Sequence, residues 1–169
     1  MGWLFTQDAT RQDVIDELVA PYENVDSRTD TLGHSARGNQ LWVVREQTDK
    51  ATGLKQRYIM LNLLGFNKGY GWGYKNMDEG MHPYFYNCPL KFLDMVPVAN
   101  EEWREKVRQY HTRKNHNTAL KRSLKVGDKV TLKPGCKVRV VELLSLKPLV
   151  GQCDGQRYRL SVTLIDRVG

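Results

Sequence analysis

Cys88 is the residue best placed by its neighbours to do covalent chemistry. It precedes Pro89, which suits the first turn of a helix because its missing N–H would be unsatisfied there. A thiol at a helix start feels the positive end of the dipole and ionises more readily. His82 lies six residues upstream and could act as its base, with Asp78, Glu79 or Asn87 orienting the imidazole. The set Cys88 and His82 therefore defines one reading, a cysteine-dependent enzyme. Its spacing fits no known nucleophile signature, and a buried structural cysteine is the simpler account. No catalytic residue is assigned on the leading reading.

Other chemistries are poorly served. His111 and His116 are five apart and fall on different helix faces, and no Cys-x-x-Cys or His-x-x-x-His pair exists. No metal is expected. The run Gly71-Trp72-Gly73-Tyr74-Lys75-Asn76 lacks the third glycine of a dinucleotide loop and is no Walker loop, so no cofactor is expected either.

That same run belongs to the most distinctive stretch of the chain, Gly69-Tyr70-Gly71-Trp72-Gly73-Tyr74-Lys75-Asn76-Met77-Asp78-Glu79. Glycine is unfavourable in a strand interior and common where backbone turns or approaches a partner. The stretch reads as a surface loop presenting Tyr70, Trp72 and Tyr74, with Lys75 beside them. Such rings could stack on bases, at about 1–3 kcal/mol per base. They equally suit a protein-interface anchor, or could fold back onto neighbouring strands.

The charge is uneven. From Arg104 to Arg139 twelve cations stand against Glu105 and Asp128, a net +10 in a chain of net +7, so the remainder is −3. A concentrated positive stretch points to an anionic partner, nucleic acid first or a host nucleoprotein complex. Arg113, Lys114, Lys121, Arg122 and Lys125 are the expected phosphate contacts. Three cysteines, an odd number, together with a start that does not read as a signal peptide, fit a reducing cytoplasmic setting. No apolar run approaches the roughly 20 residues of a membrane-spanning helix, so no membrane partner is expected. Oligomeric state is left open.

Several elements can position these residues. Thr10 and Asp13 read as the cap of a helix whose apolar face is Val14, Ile15, Leu18 and Val19, ended by Pro21. Residues 26–39 are polar, contain Gly33 and Gly38, and read as a loop. Residues 41–47 and 55–64 are β-branched, aromatic and aliphatic, joined by turn chemistry at 48–53, and read as a hairpin. A short helix follows Pro89. A further helix starts at Asn100 with Glu101 and Glu102 near its positive end and Trp103, Val107 and Tyr110 on one stripe.

Residues 111–123 are polar and basic and read as a linker or arm. Beyond them alternating segments at 129–133, 136–144 and 158–165 predict short strands, with Cys136 and Cys153 in strand-like surroundings. Val126-Gly127-Asp128-Lys129-Val130 is a common opening of small barrels. The organisation expected is an α+β domain over 1–112, with an N-terminal helix, an antiparallel hairpin or sheet and additional helices. A basic linker at 113–124 and a small SH3-like β-barrel at 125–169 follow.

From Met1-Gly2-Trp3-Leu4-Phe5 through the glycine-aromatic motif to Cys88-Pro89-Leu90-Lys91-Phe92-Leu93, the chain resembles an uncharacterised family of small proteins of bacteriophages and integrative or conjugative elements. The resemblance covers roughly residues 1–112. It carries no established activity, so no residue inherits a role from it. It implies an accessory gene of a mobile genetic element, a context rich in inhibitors of host defence of anti-CRISPR and anti-restriction type. The expectation is a non-enzymatic binding protein of that kind.

Overall fold

The computed structural model describes residues 2–78 and 85–169. The chain is α+β, with a curled antiparallel sheet, a half-barrel, and a second sheet. It divides into two compact units, one ending at Tyr110 and the other spanning His111–Gly169. Among the described residues no helix is long and apolar enough to cross a membrane.

The first unit begins with β1 (Leu4–Phe5) and α1 (Arg11–Val19). The cap of α1 is reciprocal: Asp13 N donates to Thr10 Oγ1 at 3.2 Å, and Thr10 N donates to the Asp13 carboxylate at 2.8 Å. Strands β2 (Tyr22–Glu23), β3 (Ser27–Arg37), β4 (Gln40–Asp49), β5 (Lys55–Asn67) and β6 (Gly71–Asp78) follow. They build one antiparallel sheet in the order β1-β6-β5-β4-β3-β2. The hairpin expected at 41–64 is its β4–β5 pair, with Thr52 N donating to Asp49 Oδ1 in the turn.

Central β4 is buried without a break from Leu41 to Glu46 because both faces are covered. On one face Leu41, Val43 and Leu64 pack against Val14, Ile15 and Leu18 of α1. On the other, Trp42, Val44, Ile59 and Leu61 meet Phe92 and Leu93 of α2 (Leu90–Leu93). Trp103 and Val107 of α3 (Glu101–Ser123) pack there as well. Asn100 starts α3 by accepting from Trp103 N at 3.0 Å, and Trp103 Nε1 donates to the Phe85 carbonyl.

Three expectations within residues 26–123 need correction. Residues 27–37, expected as loop, are β3, paired along their length with β4. Their buried positions are Ser27 and Thr29, polar side chains that leave no apolar alternation. Most of the glycine-aromatic stretch is no loop: Gly69 and Tyr70 lie in a turn, but residues 71–78 are β6, hydrogen-bonded between β5 and β1. Gly73 lies opposite Gly65, and the rings of Trp3 and Phe5 occupy the space that side chains there would need. The N-terminal aromatics replace the missing side chains of two central positions. Finally, the basic arm at 111–123 is the continuation of α3. Its length of polar helix carries few buried residues, which removes the apolar stripe that marks a helix in sequence.

The second unit holds the end of α3, then β7 (Lys129–Leu132), β8 (Val140–Leu146), β9 (Leu149–Cys153), β10 (Gln156–Arg159), a 3-10 turn at Val162–Leu164 and β11 (Ile165–Val168). The sheet order is β10-β9-β8-β7-β11. The segment 158–165, expected as one strand, is thus β10 and the 3-10 turn, reaching β11 only at Ile165. Leu124, Val130, Leu132, Val141, Leu143 and Ile165 form the core, with Leu120 of α3 packed on it. Asp154 and Gly155, both at positive φ, make the two-residue β9–β10 turn. Cys136 sits in the β7–β8 connection rather than a strand, while Cys153 ends β9.

Candidate nucleic-acid interface

Positive charge belongs to the second unit. Residues 111–169 hold thirteen Lys and Arg against four Asp and Glu, net +9, leaving −2 for the rest of the +7 chain. The cations of the first half of α3 are engaged locally. Arg104 is 2% exposed and donates to the carbonyls of Leu93, Val96 and Pro97 at 3.0, 3.2 and 2.8 Å. Lys106 pairs with Glu102, and Arg108 with Glu101 and Glu105. Arg104 therefore belongs to the core, although the charge run in the sequence includes it.

The later cations differ. Arg113, Lys121, Arg122 and Lys125 are exposed and make no ion pair among the described residues. At about 100° per residue, helix geometry puts Lys114 and Lys121 on one stripe of α3 and Arg122 about a quarter turn further round. Arg113 falls on the stripe of Leu120. Lys125 follows the helix, its backbone N–H donating to Asp128 Oδ2. The five expected residues are therefore not one flat row.

Lys121 lines a cleft of about 330 Å3 within the second unit, together with Lys147 from the β8–β9 turn and Arg159 from the end of β10. Leu124, Leu149, Leu160 and Val162 supply its apolar walls. Three cations from three elements around an apolar-walled groove suit an anionic backbone. Sequence reasoning missed Lys147 and Arg159, which lie outside the dense basic stretch. The alternation Arg157-Tyr158-Arg159 was the available signal, since it puts both arginines on one face of a strand.

The expected aromatic platform is not assembled as foreseen. Trp72 and Tyr74 point to the α1 side of β6 and pack, half-buried, against the cluster of Val14, Ile15 and Leu18. Trp72 lies 5.9 Å from the Phe66 ring. Lys75 is half-buried opposite Leu63. Only Tyr70 of the four is well exposed, and it stacks on Phe5 at 6.4 Å, which stacks on Trp3 at 5.7 Å. Trp3 and Phe5 were not foreseen as partners of this motif, because they lie more than sixty residues away.

Cys88 is fully buried in the cluster between the sheet and α3, its Sγ 3.7 Å from the Pro89 carbonyl oxygen. The helix after it has only four residues. Asn87 is occupied by Gln40. His82 and Glu79 lie outside the described residues. Full burial of the Cys88 side chain speaks against a thiol that meets substrate, and the base paired with it in the nucleophile reading is not among the described residues. Compared with known proteins, the chain matches no family model, no curated protein and no solved structure.

Proposed function

We propose that the protein is a non-enzymatic binding protein that holds nucleic acid, or occupies the nucleic-acid site of a host complex, through its second unit. The observation that carries this reading is the convergence of Lys121, Lys147 and Arg159 on one cleft of a unit of net +9. We further read that unit as an SH3-like barrel, on its five short antiparallel strands and the 3-10 turn before the last of them. The resemblance of residues 1–112 to phage and conjugative-element proteins supplies the setting: a cytoplasmic product of a mobile genetic element that inhibits host defence of anti-CRISPR or anti-restriction type.

The test is duplex binding across a salt titration. Affinity falls linearly in log–log form as phosphate contacts release counterions, and removing one contacting cation lowers the slope by about 0.9. Lys121→Ala, Lys147→Ala and Arg159→Ala are each expected to do so. A flat salt dependence, or no binding at low salt, overturns direct nucleic-acid binding.

A further inference from the structure

A second cleft, of about 360 Å3, lies wholly within the first unit, between the end of α1 and the adjoining face of β4, β5 and β6. Its volume falls in the range of small-molecule sites, about 300–1,000 Å3. Cross-strand register sets Arg45 opposite Tyr58 and Asn62 opposite Asn76. All four side chains line the cleft.

Its floor holds two acceptors without donors. Asn62 is 1% exposed; its Nδ2 donates to the Leu41 carbonyl at 3.4 Å, but its Oδ1 receives nothing. Asn76 Oδ1, on the neighbouring strand, is equally buried and equally unpaired. Buried polar atoms are almost always satisfied, and an orphan acceptor is costly. Two side by side, both on a cleft, point to a ligand that brings donors.

The walls narrow the class. Glu17 adds a carboxylate at the α1 side, which disfavours an anionic ligand. Tyr22, Tyr58 and Tyr74 bring aromatic rings suited to a planar body. Burial, and then Tyr22, with which it shares a hydrogen bond, push the Tyr58 phenol up to about 12. Burial and then Glu17 raise Tyr74 as well. Arg45 commits three of its five N–H groups to the Leu18 and Ala20 carbonyls and Thr31 Oγ1. Its guanidinium, over the Tyr22 ring at 5.6 Å, lines the cleft.

We propose that this cleft binds a nucleobase bearing an exocyclic amino group, whose N–H donors satisfy Asn62 Oδ1 and Asn76 Oδ1 while a ring acceptor faces Arg45. Carboxamides are suited to amino-bearing base edges, and pockets for single bases combine such contacts with aromatic walls. The base arrives as a free nucleoside or projects from a strand. The site does not rest on the basic cleft of the second unit, because a nucleoside has no phosphate.

The experiment is calorimetric titration of the full chain with adenosine, cytidine, guanosine and uridine, repeated with short single strands of adenylate and uridylate. At least one amino-bearing nucleoside is expected to bind, with uridine tenfold weaker or worse. Asn76→Leu is expected to weaken that binding tenfold or more while the thermal melt is unchanged or raised; Asn62→Leu is the second variant. Free nucleosides failing while adenylate outbinds uridylate, with the preference lost in Asn76→Leu, supports the strand as the source. Equal binding of uridine and the amino nucleosides, unchanged binding by both variants, or no base preference in either arm overturns the proposal. So does a crystal soaked with whichever nucleoside or strand binds best that shows only water on the two carboxamides.

Discussion

Gly73 lies directly beneath Phe5. A Cβ at Gly73 would stand 2.5 Å from Phe5 Cδ1 and press on the Leu4 carbonyl oxygen. The opposite glycine, Gly65, would first meet the Trp3 ring, at 2.7 Å, and Trp3 is 44% exposed and able to swing aside. Gly73→Ala is therefore expected to destabilise the fold by about 1–3 kcal/mol, and Gly65→Ala by clearly less. Urea denaturation of both variants checks the order; equal losses contradict it.

Arg104 closes the segment after α2 by bonding three carbonyls from inside the core. Arg104→Met leaves those acceptors buried and unpaired, with an expected cost of about 2–4 kcal/mol. Arg104→Lys is not expected to rescue it, because a single ammonium lacks the planar fork. Arg122→Met, on the exposed face, is expected to stay within about 0.5 kcal/mol. Thermal melts of the three variants separate buried cation from surface cation.

Glu46 accepts from Lys55 at 2.8 Å and Arg57 at 2.7 Å. The bond from Lys55, then that from Arg57, holds its carboxyl below the ordinary 4.5. A depressed folded value means the unfolded chain takes up the proton first. The stabilisation is present above about pH 4.5 and is lost as pH falls through the lower folded value. The stability difference between the native protein and Glu46→Gln should shrink steadily below that point. A difference that persists undiminished into strong acid argues against the ion pair.

Cys88 is fully buried, whereas Cys136 and Cys153 are half-exposed. A thiol reagent at neutral pH is expected to label Cys136 and Cys153 in the folded protein and Cys88 only after denaturation. Cys153 should be the slower of the two, since burial, and then Asp154, raise its thiol above the ordinary range. Labelling of native Cys88 as fast as Cys136 would return the enzyme reading to contention.

What could be read from the sequence was whatever left a local mark. The Thr10–Asp13 cap, the apolar face of α1 and the β4–β5 hairpin all carry their pattern within a few residues. β3 does not, because Ser27 and Thr29 fill its buried positions. The glycines of β6 make sense only with Trp3 and Phe5, which the chain brings back from its other end. The basic groove draws Lys147 and Arg159 from beyond the dense charge run. Asn62 left a faint mark, one carboxamide inside the apolar run from Tyr58 to Leu64, but its pairing with Asn76 needed the register.

The sheet of the first unit ends on both sides in two-residue strands, β1 and β2. Past Thr29 the outer edge of β3 has no neighbouring strand among the described residues, and the register slips between Thr31 and Gly33. A bulge twists such an edge away from straight pairing, and a two-residue stub offers an incoming chain little backbone to copy. Edge pairing with a second copy would therefore have to start on the bulged stretch of β3 past Thr29, the one long outer edge among the described strands of this sheet where the register is already broken.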